Sequence, residues 1–446
     1  MNFDLQLLDA AKMRDLLNRF AGLSLLSTAL MTALPSTSMA QWPQFRGPHG
    51  DGVVAGPLPT QWSQDESVQW RTELPGEGWS SPVVAGGTVY LTAAIKREEP
   101  ATEKPAEEEE DAPRKPKPAA YDLSVLMVDE ATGALTKRID LFVQSTQAAR
   151  IHKKNSHASP TPVIDGQRLY VHFGHQGTAC LDLAGNVIWE NDSLGYKPVH
   201  GNGGTPVVVG DRMIFSRDGA KISEVTALDT KTGQIAWQCQ RDVEAPRHFS
   251  FCTPAVFEVA GKQQLVLPGS NVVQGIEPTT GQEIWRVQYE GYSVVPRPIY
   301  HAGLVFVSTG YDRASLLAID PTGEGDVTDS HVVWQTDTSI AKTPSMIGYK
   351  GKIYQLSDNG IAVCFDAKTG DMEWKERIGG NFSTSLLLAG DHLYMTSEAG
   401  VTTVMNIAGE PEEVAENDLN ERTLASFAVS HGGLLVRTAD ALYRIQ

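Results

Sequence analysis

The sequence predicts an all-β fold: an eight-bladed β-propeller of four-stranded antiparallel blades, its ring closed by an N-terminal strand joining the last blade. Three observations predict it. A turn pattern recurs: the apolar run at Ala227-Leu228 meets Asp229-Thr230-Lys231-Thr232-Gly233, and Trp237 follows four residues after the glycine. The units also recur at a regular step. Their openings fall at 82, 162, 206, 254, 298, 344, 385 and 427, so that after the first they are 41 to 48 residues apart, close to the period of a four-stranded blade. Finally, the last unit, Ala425 to Gln446, has no Trp strand, whereas a strand bearing Trp70 stands alone ahead of the first unit. Sharing one blade between the two ends leaves no free sheet edge.

Each turn has a local reason. Asp and Thr side chains bond back to nearby backbone N–H groups, and Gly accepts the positive φ of a tight turn. Apolar and β-branched flanks make strands on both sides. Other copies are Glu277 to Gly281 with Trp285, Asp366 to Gly370 with Trp374, and a shortened Asp182 to Gly185 with Trp189. Asp320 to Gly323 reaches Trp334 after a longer loop, and Asp129 to Gly133 has Lys137 in the Trp place. We read Trp70, Trp189, Trp237, Trp285, Trp334 and Trp374 as packing residues of the repeat, each with its N–H satisfied locally.

Taken in order, residues 1–40 have the form of an export signal. Lys12, Arg14 and Arg19 precede an apolar run from Phe20 to Leu34, and Ser38-Met39-Ala40 forms a small-x-small cleavage site. Met13 is an alternative start, and an uncleaved anchor is the alternative fate. No later stretch is long and apolar enough to span a bilayer, so the mature chain is expected in the periplasm or cell envelope. Residues 41–66 are rich in Gly and Pro and are expected to form an arm laid over the body. The propeller occupies 67–446. Most blades open on a Pro before an apolar strand, where a missing N–H does no harm. Blade 1 carries an insertion at 96–118, with Glu107 to Asp111 and no large apolar residue, expected to be disordered.

The 446 residues exceed one ordinary core, but a repeat needs only its neighbours. The net charge of −17 excludes nucleic acid or anionic lipid bound through a broad basic face. Cys180, Cys239, Cys252 and Cys364 form no C-x-x-C and no adjacent pair. Zinc and thioredoxin-like readings therefore fail. A bridge between Cys239 and Cys252 stays open.

Repeats of this form resemble those of the quinoprotein alcohol dehydrogenase-like superfamily, the PQQ-like repeats, over roughly residues 67–446. Size and blade number are similar to the BamB-like exported propellers, although no Cys follows the signal for lipid attachment. The resemblance implies the fold; function differs among its members. Its dehydrogenases hold PQQ between a Trp and a disulfide of adjacent cysteines, with calcium bound by Glu, Asn and Asp. No residues here match that set, so we carry over no catalytic residue and no metal ligand, and expect no cofactor.

Residues just before each first strand, and turns between second and third strands, should ring one mouth of the channel. From the openings come His157, His200, Arg247, His248 and Arg297. From the turns come Asp312, Arg313 and Asp358, with His175, Asp218 and Glu398 in equivalent places. Arginines there suit a carboxylate or phosphate; the bland alternative is a wet polar rim. The expectation is an exported, non-catalytic binding or scaffold protein whose partner is a protein or other envelope macromolecule. The alternative is a dehydrogenase oxidising an alcohol or sugar with PQQ and calcium.

Overall fold

Every blade starts at the ring centre and works outward. The computed structural model describes residues 41–97, 120–145 and 151–446. The expected export signal, the start at Met13 and nearly all of the 96–118 insertion lie outside the described residues. Blade 1 holds its strand through Lys96 and resumes at Tyr121.

Blade 3 shows the plan: Val207–Val209, Arg212–Asp218, Ser223–Asp229 and Ile235–Gln240 pair antiparallel in that order. The two middle strands are covered on both faces, so Leu304–Ser308 and Leu316–Ile319 of blade 5 are almost wholly buried. Outermost strands face water on one side. Ile235–Gln240 keeps Trp237 inside while its neighbours Ala236 and Gln238 are exposed, the alternation a pleated strand requires. The ends close the ring as expected: Val68–Glu73 pairs antiparallel with Ala441–Ile445.

At the outer rim, Asp229 Oδ1 accepts the Thr232 N–H at 2.9 Å, and Gly233 takes a φ of 70°. A Cβ on Gly233 would lie 2.4 Å from the Trp189 ring. Each of Trp70, Trp189, Trp237 and Trp334 thus lies on the turn glycine of the next blade, whereas Gly323 meets His331 and Val327 and Gly409 meets nothing within 4 Å. Each of the four also donates its N–H to that turn: Trp70 to Glu130 O at 3.0 Å, Trp189 to Thr230 O at 2.9 Å, Trp237 to Pro278 O at 3.0 Å and Trp334 to Ala367 O at 3.1 Å. For these four the N–H partner is in the neighbouring blade rather than local, and Trp374 packs on Tyr354 of its own blade with ring centroids 6.0 Å apart. Trp285 is fully buried and reaches its neighbour through Gln264, which accepts the indole N–H at 2.8 Å and donates to Pro321 O at 3.2 Å. Lys137, in the Trp place, donates to Ala184 O at 2.9 Å.

At the ring centre, the backbone N–H of one opening donates to the hydroxyl of the next. Ser81 donates to Thr161 at 3.0 Å, Thr161 to Thr205 at 2.9 Å and Thr205 to Thr253 at 3.1 Å. Arg297 donates to Ser345 at 3.0 Å, Ser345 to Ser385 at 3.1 Å and Ser385 to Ser426 at 2.9 Å. This collar corrects two openings. Ser345 and Ser385 take the collar place, so Met346 and Leu386, not Pro344 and Ser385, stand where the other blades have Pro. The first strands confirm the register, starting two residues after the collar at Ile347 and Leu387.

The arm occupies the channel. Trp42 bridges Val84 of blade 1, Pro43 O accepts the Ile164 N–H of blade 2 at 2.7 Å, and Val53–Val54 pairs parallel with Leu387–Ala389 of blade 7. Arg46 donates to Met346 O at 2.7 Å, and Arg297 donates to Phe45 O and Gly50 O at 3.1 Å each. A Cβ at Gly50 would fall 1.9 Å from the Arg297 guanidinium, and the φ of 66° also favours glycine there. All four cysteines are free, which settles the Cys239–Cys252 question against a bridge.

Candidate functional site

With the arm in the channel, one mouth becomes a cup. Phe45 of the arm lines it together with the collar hydroxyls, and the cavity measures about 590 Å³. This lies within the size range of small-molecule sites. One wall is aromatic. The ring of Phe249 lies 5.4 Å from His200, 5.9 Å from Phe251 and 5.6 Å from Tyr292, and Tyr292 lies 6.3 Å from Tyr311. Trp79 adds a separate aromatic face. His200 and Ser293, both lining the cup, hold φ values of 65° and 56°. Non-glycine residues reach that region at a cost of about 1–3 kcal/mol each.

Three cations stack on aromatic rings at this mouth. The Arg247 guanidinium lies 4.5 Å from the Tyr292 centroid, Lys342 Nζ 5.1 Å from Tyr311, and the Arg422 guanidinium 5.2 Å from Trp79. Such pairs hold a flexible charged side chain in place. Every nearby carboxylate is already engaged. Asp358 accepts from the Lys342 and Thr343 N–H groups at 2.7 and 3.2 Å and from the Thr343 hydroxyl at 2.6 Å. Asp312 accepts from the Tyr292 hydroxyl at 2.9 Å. Glu398 accepts from Lys154 at 2.8 Å and Ser383 at 2.7 Å. Burial raises the Glu398 pKa, but these partners outweigh it and the carboxyl ends below its ordinary value. His152, 5.8 Å from His200, is shifted down by burial and by the neighbouring His200, Lys154 and Lys153 charges.

Of the residues expected at the mouth, His200, Arg247 and Asp358 line the cup. Asp312 stands one bond behind, through Tyr292. His248 and Arg313 are not among the lining residues. His157 instead packs 4.9 Å from Tyr121, and burial lowers its pKa to about 4. Arg297 is turned into the channel wall and committed to the arm, buried deeply enough to lower its pKa to about 10. Asp218 forms a buried bidentate pair with Arg241 at 2.8 and 2.9 Å, and His175 bonds Asn202 and Gln176 at 2.9 and 2.7 Å. Missed from the sequence were Trp79, Phe249, Phe251, Tyr292, Tyr311 and Lys342. Trp79 and Phe251 stand two residues before a collar residue and Phe249 four before, so their place near the mouth was readable although their facing was not.

The cofactor cradle implied by the quinoprotein resemblance does not fit these residues. The cysteines are single, and no group of three His, Cys, Asp or Glu among the described residues is arranged to hold a metal ion. No helix among the described residues is long and apolar enough to cross a membrane.

The family model described as outer membrane protein assembly factor BamB matches residues 122–347 and 325–411, more than half the chain. No curated protein matches significantly. Among solved structures, the chain is similar to BamB from Moraxella catarrhalis, with 14% identity, 73% of this chain and 91% of that one covered, and a TM-score of 0.52. It is similar to the quinohemoprotein alcohol dehydrogenase of Comamonas testosteroni, with 12% identity, coverage of 90% and 80%, and a TM-score of 0.62. It is also similar to a europium-containing methanol dehydrogenase, with 10% identity, coverage of 91% of each chain and a TM-score of 0.63. At these identities the likeness shows the fold alone.

Proposed function

This chain belongs to the family of the outer membrane protein assembly factor BamB, and from that membership we propose an exported, non-catalytic propeller that binds a protein or other envelope macromolecule across its open mouth. The observation that carries this reading is the contrast within the cup. Aromatic and cationic side chains from many blades converge there, while every carboxylate near them is held by N–H or O–H donors. A binding face uses anchors such as aromatics and arginine.

The likeness to two dehydrogenases favours a second reading, oxidation of an alcohol or sugar with PQQ and calcium. Incubation with both separates the two. We expect no stoichiometric quinone spectrum and no dye-linked oxidation, together with capture from envelope extract that is lost when Arg247 and Tyr292 are changed to Ala. A bound quinone with turnover overturns the proposal.

A further inference from the structure

The collar places an unusual set of groups around one cavity. The hydroxyls of Thr161, Thr205, Thr253, Ser345, Ser385 and Ser426 each accept a backbone N–H from the preceding blade. All six line the cup and are at least nine-tenths buried. Among the described residues none of their O–H protons has an acceptor. A hydroxyl that accepts one bond still has its proton to give. The cup is therefore lined with hydroxyl donors.

The rim adds charge of the same sense. Arg247 uses one N–H on the Tyr292 hydroxyl at 2.6 Å, and Lys342 uses one proton on Asp312 O at 3.0 Å. Both keep further protons free, and both are held in place by the rings beneath them. Neither side chain is bonded to a carboxylate: Asp358 takes the backbone N–H groups of Lys342 and Thr343, Glu398 takes Lys154 and Ser383, and Asp312 takes the Tyr292 hydroxyl. In a chain of net charge −17, this mouth presents donors, with Arg247 and Lys342 set beside carboxylates they do not bond.

We infer that the cup is an anion receptor: it takes a ligand bearing a carboxylate or phosphate, whose charged oxygens meet the collar hydroxyls, Arg247 and Lys342, while its body packs on the aromatic wall. The inference deepens the binding reading above and rests on the same mouth. Charge-assisted bonds to a guanidinium are about twice as strong as neutral ones, and the aromatic wall favours a ringed body over an extended one.

The test is calorimetric titration of the purified protein at constant ionic strength, using glucuronate, inorganic phosphate and neutral glucose. Glucuronate or phosphate should bind and glucose should not, and whichever of the two anions binds tighter tells a carboxylate source from a phosphate source. Arg247→Gln and Lys342→Gln together should weaken binding by about tenfold or more; both side chains sit at the rim, so folding survives. Thr205→Val tests the collar, with its melting curve read alongside; if it does not fold, the rim pair decides. The inference is overturned if neither anion binds, if glucose binds as well, or if the rim pair leaves the affinity unchanged. Because the probes are small and the protein pure, such a failure leaves capture of an envelope partner standing as a separate result.

Discussion

The outer rim and the inner mouth are built by the same eight blades, and they treat the repeat differently. At the rim, Trp70, Trp189, Trp237 and Trp334 each do the same work, lying on the next blade's turn and bonding its carbonyl. Two exceptions keep the job, Lys137 bonding the neighbouring turn directly and Trp285 through Gln264, while Trp374 packs on Tyr354 of its own blade. At the mouth the collar repeats, but the residues just before it do not. Blade 1 offers Trp79, blade 4 Phe249 and Phe251, blade 5 Tyr292, blade 6 Lys342. Residues that obey the repeat join blades, and residues that break it face the cup. The comparison assigns architecture to one set and recognition to the other.

Breaking the ring at its seam should have the largest effect. Deleting residues before Ser81 removes both the arm and the Trp70 strand, exposing the edge of Ala441–Ile445. We expect loss of cooperative unfolding, or aggregation, by calorimetry and light scattering. A normal melting curve would show that neither closes anything.

Removing one rim residue comes next. Trp237→Ala should cost about 3–5 kcal/mol in denaturant melting, because the buried ring and its bond to Pro278 go together. An exposed ring would give almost no change, and the rim would then not be what joins the blades.

Acid offers a smaller probe of the wall between the two regions. His172 is buried in blade 2, bonds the Thr178 hydroxyl at 2.8 Å, and has its pKa lowered to about 3, first by burial and then by the nearby His175 and Arg217 charges. An unfolded His titrates near 6.5. Between these values the unfolded chain holds the extra proton, so stability is intact above pH 6.5 and falls as pH falls toward 3. The loss at pH 5 should be about 2 kcal/mol from this residue. His172→Gln should flatten the slope of stability against pH; an unchanged slope would mean that His172 protonates in place.

The smallest effect belongs to the mouth itself. Arg247→Gln and Lys342→Gln should each alter stability by no more than about 0.5 kcal/mol, because their bonds to the Tyr292 hydroxyl and the Asp312 carbonyl are exposed. A drop as large as that of Trp237→Ala would make them structural and erase the distinction.

How much could be read from the sequence follows the same line. The blades were legible because each turn repeats its own physical reason, an Asx cap, a left-handed Gly and a large ring. Blades 6 and 7 were misplaced by two residues and by one. Pro344 imitates the opening proline, and only the bond from Ser345 to Ser385 reveals the true register. At the mouth the charged and imidazole groups drew attention, and His200, Arg247 and Asp358 do line the cup. Arg297 looked equivalent to them, but it replaces a collar hydroxyl and is taken by Phe45 and Gly50 from a segment some 250 positions earlier in the chain. No local pattern announces such a contact. Phe249 and Tyr292 were passed over because aromatics in a β protein usually pack inside, and only the assembled ring shows them facing a cavity.

The central claim, that recognition resides at the mouth and not at the rim, can be tested with one matched pair of sites. Tyr311 at the mouth and Met372 on an outermost strand are similarly exposed, at 55% and 50%. A photo-crosslinking phenylalanine analogue placed at each position in turn, and irradiated in envelope extract, reads out which surface meets a partner. The account predicts a discrete adduct from position 311 and none from position 372. Adducts from position 372 alone, or equally from both, would contradict it.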